Sequence, residues 1–471
     1  MSITPFTMKV LEQCSITPPP TTAPLSSLLP LTFFDIPWLF FSPSQPLFFY
    51  EFPHSTSHFT ATVLPKLKQS LSLTLQHYYP FAATFTPSSD LTKPHLICTD
   101  HMSVAFTITE SNGDFKHFCN NHPRDAKDFH LLLPKLASSF PHQGKEHFFP
   151  LLAIQVTLFP NAGVCIGFAF HHVVADGRTF HNFFKTWASY CCSFGSASAF
   201  FPPESLPLRD PSVIIDAKGL EEVFLKEWRK RRLVQDIAIG REPKLVDLSG
   251  MVRATFLMST TKMDKIKRYI INCCKEKNQP QPVHLSAYVL TCAFIWVCLV
   301  KTQQCVNEKV NNHEDHSYFG FIAGGITRLD YPVPITYLGN CVGFGRASVR
   351  RKELLGEDGI VIAAKSIGST IKKLDASIFA GAEKWISDWE VLHGSEQHVH
   401  ATWSPKLKLY ELDFGWGRPK KIEEISIDYT GAVSLLQSRD VVGGIEIGLA
   451  LPKSKMDIFS MLFTKGLVTL P

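Results

Sequence analysis

The feature that most restricts what this 471-residue chain can become is an apolar run, Val164-Cys165-Ile166-Gly167-Phe168-Ala169-Phe170, that ends in His171-His172-Val173-Val174-Ala175-Asp176-Gly177. The run has the length of a strand and Asp176-Gly177 is a turn signal. Thr179 is placed to cap a helix whose Phe180, Phe183, Phe184, Trp187 and Cys191 recur at three- and four-residue spacing. Just upstream, Pro160-Asn161-Ala162-Gly163 separates two apolar runs and predicts a hairpin. His172 is therefore expected on a short loop between two buried elements, with a carboxylate four residues later.

A neutral imidazole, with an ordinary pKa of about 6.5, can take a proton near neutral pH, and such catalysis typically contributes about 10²- to 10⁴-fold. The competing reading is a hydrogen-bonded structural histidine at a strand end. Spacing singles out His172 over His171, because the residue four beyond His171 is Ala175 whereas four beyond His172 is Asp176; His171 is expected to face the other way.

Far downstream lies Ser404-Pro405-Lys406-Leu407-Lys408-Leu409-Tyr410-Glu411-Leu412-Asp413-Phe414-Gly415-Trp416-Gly417. His-x-x-x-Asp-Gly in the middle and Asp-Phe-Gly-Trp-Gly near the end together resemble the BAHD acyl-CoA-dependent acyltransferases of plants. Thr32-Phe33-Phe34-Asp35, the helical pattern from Leu67 to Ala82, and Tyr337-Leu338-Gly339-Asn340-Cys341 are similar to further landmarks of that family, in order along nearly the whole chain. The resemblance implies an α/β fold of two chloramphenicol-acetyltransferase-like lobes, each a mixed sheet with flanking helices, and a channel at their interface. It also implies a monomer.

The length itself calls for more than one core. Residues 1–195 are expected to form the lobe carrying His172, 196–249 a crossover rich in proline and charge, and 250–471 the lobe carrying Asp413. The second lobe should open with the strand Val252 to Met258, a basic helix from Ser259 or Thr260, and an apolar helix from Ser286 to Val300. The 13-residue apolar stretch Tyr288 to Val300 falls short of the roughly 20 residues that span a bilayer and reads as a buried helix. Cys305 to Ser317 lacks apolar periodicity and reads as a surface loop.

Composition excludes several function classes. A net charge of +5 and a pI near 8.5 fall short of a nucleic-acid binder. The 12 cysteines sit largely in apolar runs, without Cys-x-x-Cys or zinc-ligand spacing, so no metal is expected and a reduced, cytoplasmic protein fits. The N-terminus shows no basic segment followed by an apolar run, so neither secretion nor membrane association is expected.

The resemblance implies roles for individual residues. His172 would be the general base, deprotonating an alcohol that attacks a thioester, with no covalent acyl-enzyme and no cofactor besides the acyl-CoA co-substrate. Asp176 and Gly177 would be structural, as would Asp413, Phe414, Gly415, Trp416 and Gly417; Asp413 could be mistaken for a catalytic group. The family's arginine-rich stretch here reads Gly324-Gly325-Ile326-Thr327-Arg328-Leu329, with Ile326 where the first arginine is expected, and Arg328, two residues on along a strand, is expected to supply the charge that Asp176 needs. Ser259, Thr260 and Lys262 at one helix start, and Ser286 and Ala287 at another, match the region that holds coenzyme A in relatives. The basic run on the first of these helices reads equally well as a solvated face.

Tyr337-Leu338-Gly339-Asn340-Cys341 and Ser404-Pro405-Lys406 are similar to the branch that acylates flavonoid, anthocyanin and phenolic glycosides. Within it, malonyl transfer to a sugar hydroxyl of a flavonoid or phenolic glucoside is the first expectation, with Arg178 or Lys406 meeting the malonyl carboxylate. A hydroxycinnamoyltransferase (coumaroyl or caffeoyl donor) is the alternative, and a non-catalytic coenzyme A- or metabolite-binding protein the distant one.

Overall fold

The computed structural model describes residues 6–20, 27–86, 93–137, 140–142, 146–193, 206–233, 247–306, 315–392 and 398–468. Parts of the expected crossover (196–205 and 234–246) and of the expected surface loop (307–314) lie outside them. The described piece of the crossover contains the helix Leu220–Leu233, whose Phe224 and Trp228 are buried in the core that also holds His172's neighbours.

The hairpin at Asn161 forms as expected, between Leu152–Phe159 and Gly163–Phe170. All eight residues of Gly163–Phe170 are buried, since the strand lies inside a six-stranded mixed sheet ordered Met8–Ile16, Val104–Ser111, Leu152–Phe159, Gly163–Phe170, Pro46–Glu51, Lys421–Glu424. Gly167 is required there: a Cβ would stand 2.5 Å from the Leu132 carbonyl oxygen. The helix Gly177–Cys192 covers one face through Phe180, Phe183, Phe184 and Trp187.

The second sheet has seven strands, ordered Val342–Arg350, His316–Gly324, His398–Thr402, Val433–Gln437, Ile445–Pro452, Met251–Met258, Arg124–Asp125, and is also mixed. Its outer layer holds the helix Ala287–Val306, in which every residue from Val289 to Val300 is buried. That helix is long and apolar enough to cross a membrane by length and composition, but it is enclosed in the core with Ile367, Met456 and Phe459. A smaller sheet of five short strands runs Ser27–Pro30, His95–Cys98, Thr84–Thr86, Glu146–Pro150, Phe140–His142.

Each large sheet takes its last strand from the opposite half of the chain. Lys421–Glu424 pairs with Pro46–Glu51, and Arg124–Asp125 pairs with Met251–Met258. The second exchange sets Arg253 opposite Arg124, both fully buried, an arrangement that needs anions beside it. The first exchange supplies one: Glu423 accepts from Arg124 at 2.7 Å and from Arg253 at 3.1 Å, while Asp428 pairs with Arg253 and lies 2.8 Å from His130. Burial alone would raise the Glu423 carboxyl's pKa, but Arg124, Arg253 and Lys421 override it and hold it at about 2. Removing one partner of such a network strands the others in a low dielectric. Arg253→Met should therefore cost about 3–5 kcal/mol of stability, read as a lowered urea midpoint; an unchanged midpoint would show that the network does not hold the halves together.

Candidate active site

Beyond Phe170 the chain leaves the sheet. The His171 amide still donates to the Leu151 carbonyl at 2.9 Å, and a tight turn follows in which Val174 and Ala175 donate back to the carbonyls of His171 and His172. The helix then starts at Gly177, but its cap is Asp176 and not Thr179: Asp176 Oδ1 accepts the Thr179 amide at 2.8 Å. A carboxylate three residues before an orphan helical amide is the better acceptor. The Thr179 hydroxyl is used elsewhere, donating to the Gly339 carbonyl at 2.9 Å.

The two histidines meet different surroundings. His171 is buried, with no hydrogen-bond partner for Nδ1 among the described residues, and burial pushes its pKa down to about 4. His172 keeps part of its surface open. Its ring is stacked on Trp38, with centroids 3.6 Å apart and planes inclined by 15°, and its Nδ1 lies 3.1 Å from Asn340 Oδ1. Its pKa is also pushed down to about 4, first by burial, against the opposing pull of Asp176, of hydrogen bonds to Asn340 and to its own backbone carbonyl, and of Asp35. At neutral pH the ring is uncharged, and Nε2 has no protein partner among the described residues. Around it Trp38, Phe344, Phe41 and Trp389 form a continuous aromatic wall, with ring centroids 4.9–5.7 Å apart from Trp38 through Phe344 and Trp389 to Phe41.

Asn340 sits on the loop from the other half of the chain, and that loop is fastened to the helix start. Arg178 donates to the carbonyls of Ile335 and Tyr337, each at 2.8 Å; Thr179 bonds Gly339; and Asp176 Oδ2 accepts the Cys341 amide at 3.2 Å. The cation nearest Asp176 is thus Arg178, at 3.8 Å, and the expectation for Arg328 is corrected. Arg328 pairs with Asp375 at 3.0 Å. The strand ends at Gly324, and Arg328 lies in a turn closed by its own amide on the Gly325 carbonyl, so strand alternation does not carry its side chain toward Asp176. Arg178, considered above for a malonyl carboxylate, has its guanidinium engaged by the two loop carbonyls.

The Asp413 loop is held from within. Asp413 Oδ1 accepts the amides of Gly415 (2.7 Å) and Gly417 (2.9 Å), whose φ angles of 91° and 86° suit glycine. Phe414 packs edge-on against Trp187, and Trp416 against Tyr50 and Phe52. The loop braces the helix that begins at Gly177, and Asp413 is a cap within it. Upstream, Trp403 adopts φ 61°, anchored by its indole N–H on Glu424 at 2.6 Å. The turn after it lays Leu407 against Gly177, where a Cβ would meet it at 3.0 Å, and leaves Lys406 exposed nearby.

The two helix starts expected to hold coenzyme A differ. Ser286 caps the helix that begins at Ala287, two residues after His284, whose pKa is lowered by burial and then by Lys372, Lys406 and Arg328 against the opposing pull of Asp375. Three cations therefore meet there with one carboxylate, Asp375, which pairs with both Arg328 and Lys372. Ser259 caps its helix through the Lys262 amide, but Lys262 Nζ donates to the Leu257 carbonyl and lies over the Phe463 ring. Sequence reasoning assigned no site role to Asp35, Trp38 or Asn340. The signal for Asp35 was a lone charge inside an aromatic stretch.

Comparison with known proteins gives the same picture. The model of the transferase family matches residues 8–465. An anthocyanin 3-O-glucoside malonyltransferase of Dahlia pinnata is 36% identical over 98% of this chain and 97% of its own, and a phenolic glucoside malonyltransferase of Nicotiana tabacum 35% identical over 97% and 99%. An anthocyanidin 3-O-glucoside coumaroyltransferase of Arabidopsis thaliana is 37% identical over 98% and 97%. The crystal structure of vinorine synthase shares the fold, with a TM-score of 0.68 over 98% of both chains at 19% identity. With one signature segment opening the helix Gly177–Cys192 and the other packed on its far end, and relatives of full length, the chain belongs to the BAHD family of acyltransferases.

Proposed function

We propose that this enzyme transfers a malonyl group from malonyl-CoA to a sugar hydroxyl of a flavonoid or phenolic glucoside. The observation that carries the chemistry is His172: an uncharged imidazole, partly open, with Nδ1 engaged and Nε2 without a partner among the described residues. Nε2 takes the hydroxyl proton as the sugar oxygen bonds to the thioester carbonyl carbon. The resulting oxyanion collapses, the carbon–sulfur bond breaks, and the departing thiolate takes the proton back from the imidazolium. His172 ends neutral, and no group on the enzyme is acylated. Coenzyme A is read as lying toward Ser286 and Ala287, where Arg328, Lys372 and Lys406 gather. For the donor, the support is the malonyltransferase relatives and Lys406, an exposed cation on the turn that touches Gly177. Coumaroyl transfer is the second reading, favoured by the coumaroyltransferase relatives and by the aromatic wall beside His172, which suits a planar acyl group.

Incubation of the purified protein with malonyl-CoA or coumaroyl-CoA and a panel of flavonoid and phenolic glucosides separates the readings by product mass. A gain of one malonyl group supports the first and one coumaroyl group the second; coenzyme A binding without product rejects both. His172→Ala should lower turnover by about 10²- to 10⁴-fold, equivalent to about 3–5 kcal/mol of barrier. Lys406→Ala should raise KM for malonyl-CoA about tenfold and that for coumaroyl-CoA by less, the side chain standing also among the cations near Ser286.

The pH dependence follows from the two histidines. Unfolded, each protonates near the ordinary value of about 6.5; folded, each does so at about 4. Between these values the unfolded chain binds more protons, so stability is full above about 6.5 and falls as the pH drops toward 4. The acid limb of kcat/KM should likewise lie near pH 4. A limb centred at 6.5 would mean that His172 is not desolvated in the working enzyme.

A further inference from the structure

We infer that Asp35 is a positioning residue for the base: acting through Asn340, it fixes the His172 ring with its proton on Nδ1 and so leaves the Nε2 lone pair for the incoming hydroxyl. The inference deepens the acyl-transfer reading and rests on it. Asp35 and Asn340 are both fully buried. Asn340 Nδ2 lies 2.9 Å from Asp35 Oδ1, 2.9 Å from the His172 carbonyl oxygen and 3.3 Å from that of Val173. All three are acceptors, so the amide nitrogen belongs there; a reversed amide would set its oxygen against a carboxylate and two carbonyls. The carboxylate is itself held. Its Oδ1 also takes the Asn340 amide at 3.2 Å, and its Oδ2 takes the Thr32 amide and hydroxyl at 2.8 Å each.

With the amide fixed, Asn340 Oδ1 faces His172 Nδ1 at 3.1 Å and can only accept, so Nδ1 carries the proton. A free imidazole ring favours the opposite tautomer, with the proton on Nε2, where it could not act as a base. A carboxylate at position 35 is decisive because it offers no N–H. An asparagine there could turn its own amide and let Asn340 reverse.

The test needs a readout that a purely structural residue would leave unmoved. In ¹⁵N-histidine-labelled full-length protein, with the His172 signals identified by their loss in His172→Gln, Nδ1 should appear protonated and Nε2 unprotonated at pH 7. Asn340→Ala, which keeps the backbone amide that Asp35 accepts, should move a measurable share of the proton to Nε2, the contact of the ring with its own carbonyl retaining the rest. Asp35→Asn should give a mixture of tautomers and lower kcat at least about tenfold, with KM for both substrates within about twofold of the parent. A His172 ring that stays fully Nδ1-protonated in Asn340→Ala overturns the inference, as does an Asp35→Asn enzyme with parental kcat. The spectra require no substrate, so they judge the relay even if the donor or acceptor is misassigned.

Discussion

The active site depends on one docking event: the loop Tyr337–Cys341 seats on the first turn of the helix Gly177–Cys192. Three residues make it: Asp176 accepts from Cys341, Arg178 grips the carbonyls of Ile335 and Tyr337, and Thr179 holds Gly339, while Gly177 between them leaves room for Leu407 of another turn. The reward for this docking is a single side chain, Asn340, delivered to His172. The base is therefore complete only when the two halves of the chain are together, and the exchanged strands with their buried ions hold them so.

That arrangement explains why a motif can require an aspartate that takes no part in the chemistry. Asp176 is bonded to two backbone amides, one in its own helix and one across the interface. Each is a donor that would otherwise be buried unpaired, at a cost of about 1–3 kcal/mol. The arginine missing at Ile326 is not restored by Arg328, which is committed to Asp375. Arg178, on the same turn as Asp176, provides the adjacent positive charge while clamping the loop.

What could be read in the sequence was what is local. Gly163–Phe170, the hairpin before it, the helix after it and the buried helix Ala287–Val306 all follow from apolar spacing within a short window. The choice of His172 over His171 needed only a count of four residues. The cap was misread because Asp176 and Thr179 are both good capping residues, and only the turn geometry decides between them. Asp35 and Asn340 were illegible as a pair because each is an ordinary polar residue whose meaning lies in a partner in the other half of the chain. The exchanged strands were missed for another reason: Arg124–Asp125 and Lys421–Glu424 are too short and too polar to show alternation, and they are strands only because an open sheet edge and counter-charges await them.

The enclosure of His172 raises a chemical question, since the burial that keeps the ring uncharged also makes it a reluctant base. The carboxylates resolve it. A neutral imidazole gains little from Asp176 or Asp35, but the imidazolium that forms as the hydroxyl proton arrives is attracted by both. Their effect is thus concentrated in the transition state, where charge develops, and is nearly absent in the resting enzyme. Asp35 acts over the longer path, yet Asn340 lies between it and the ring with its dipole aligned, amide nitrogen toward the carboxylate and oxygen toward Nδ1–H. Protonation at Nε2 makes Nδ1–H a stronger donor, which strengthens its bond to Asn340 and, through the polarised amide, the bond from Asn340 to Asp35. Asp35 and Asn340, which select the tautomer before reaction, thereby favour the charge that appears during it.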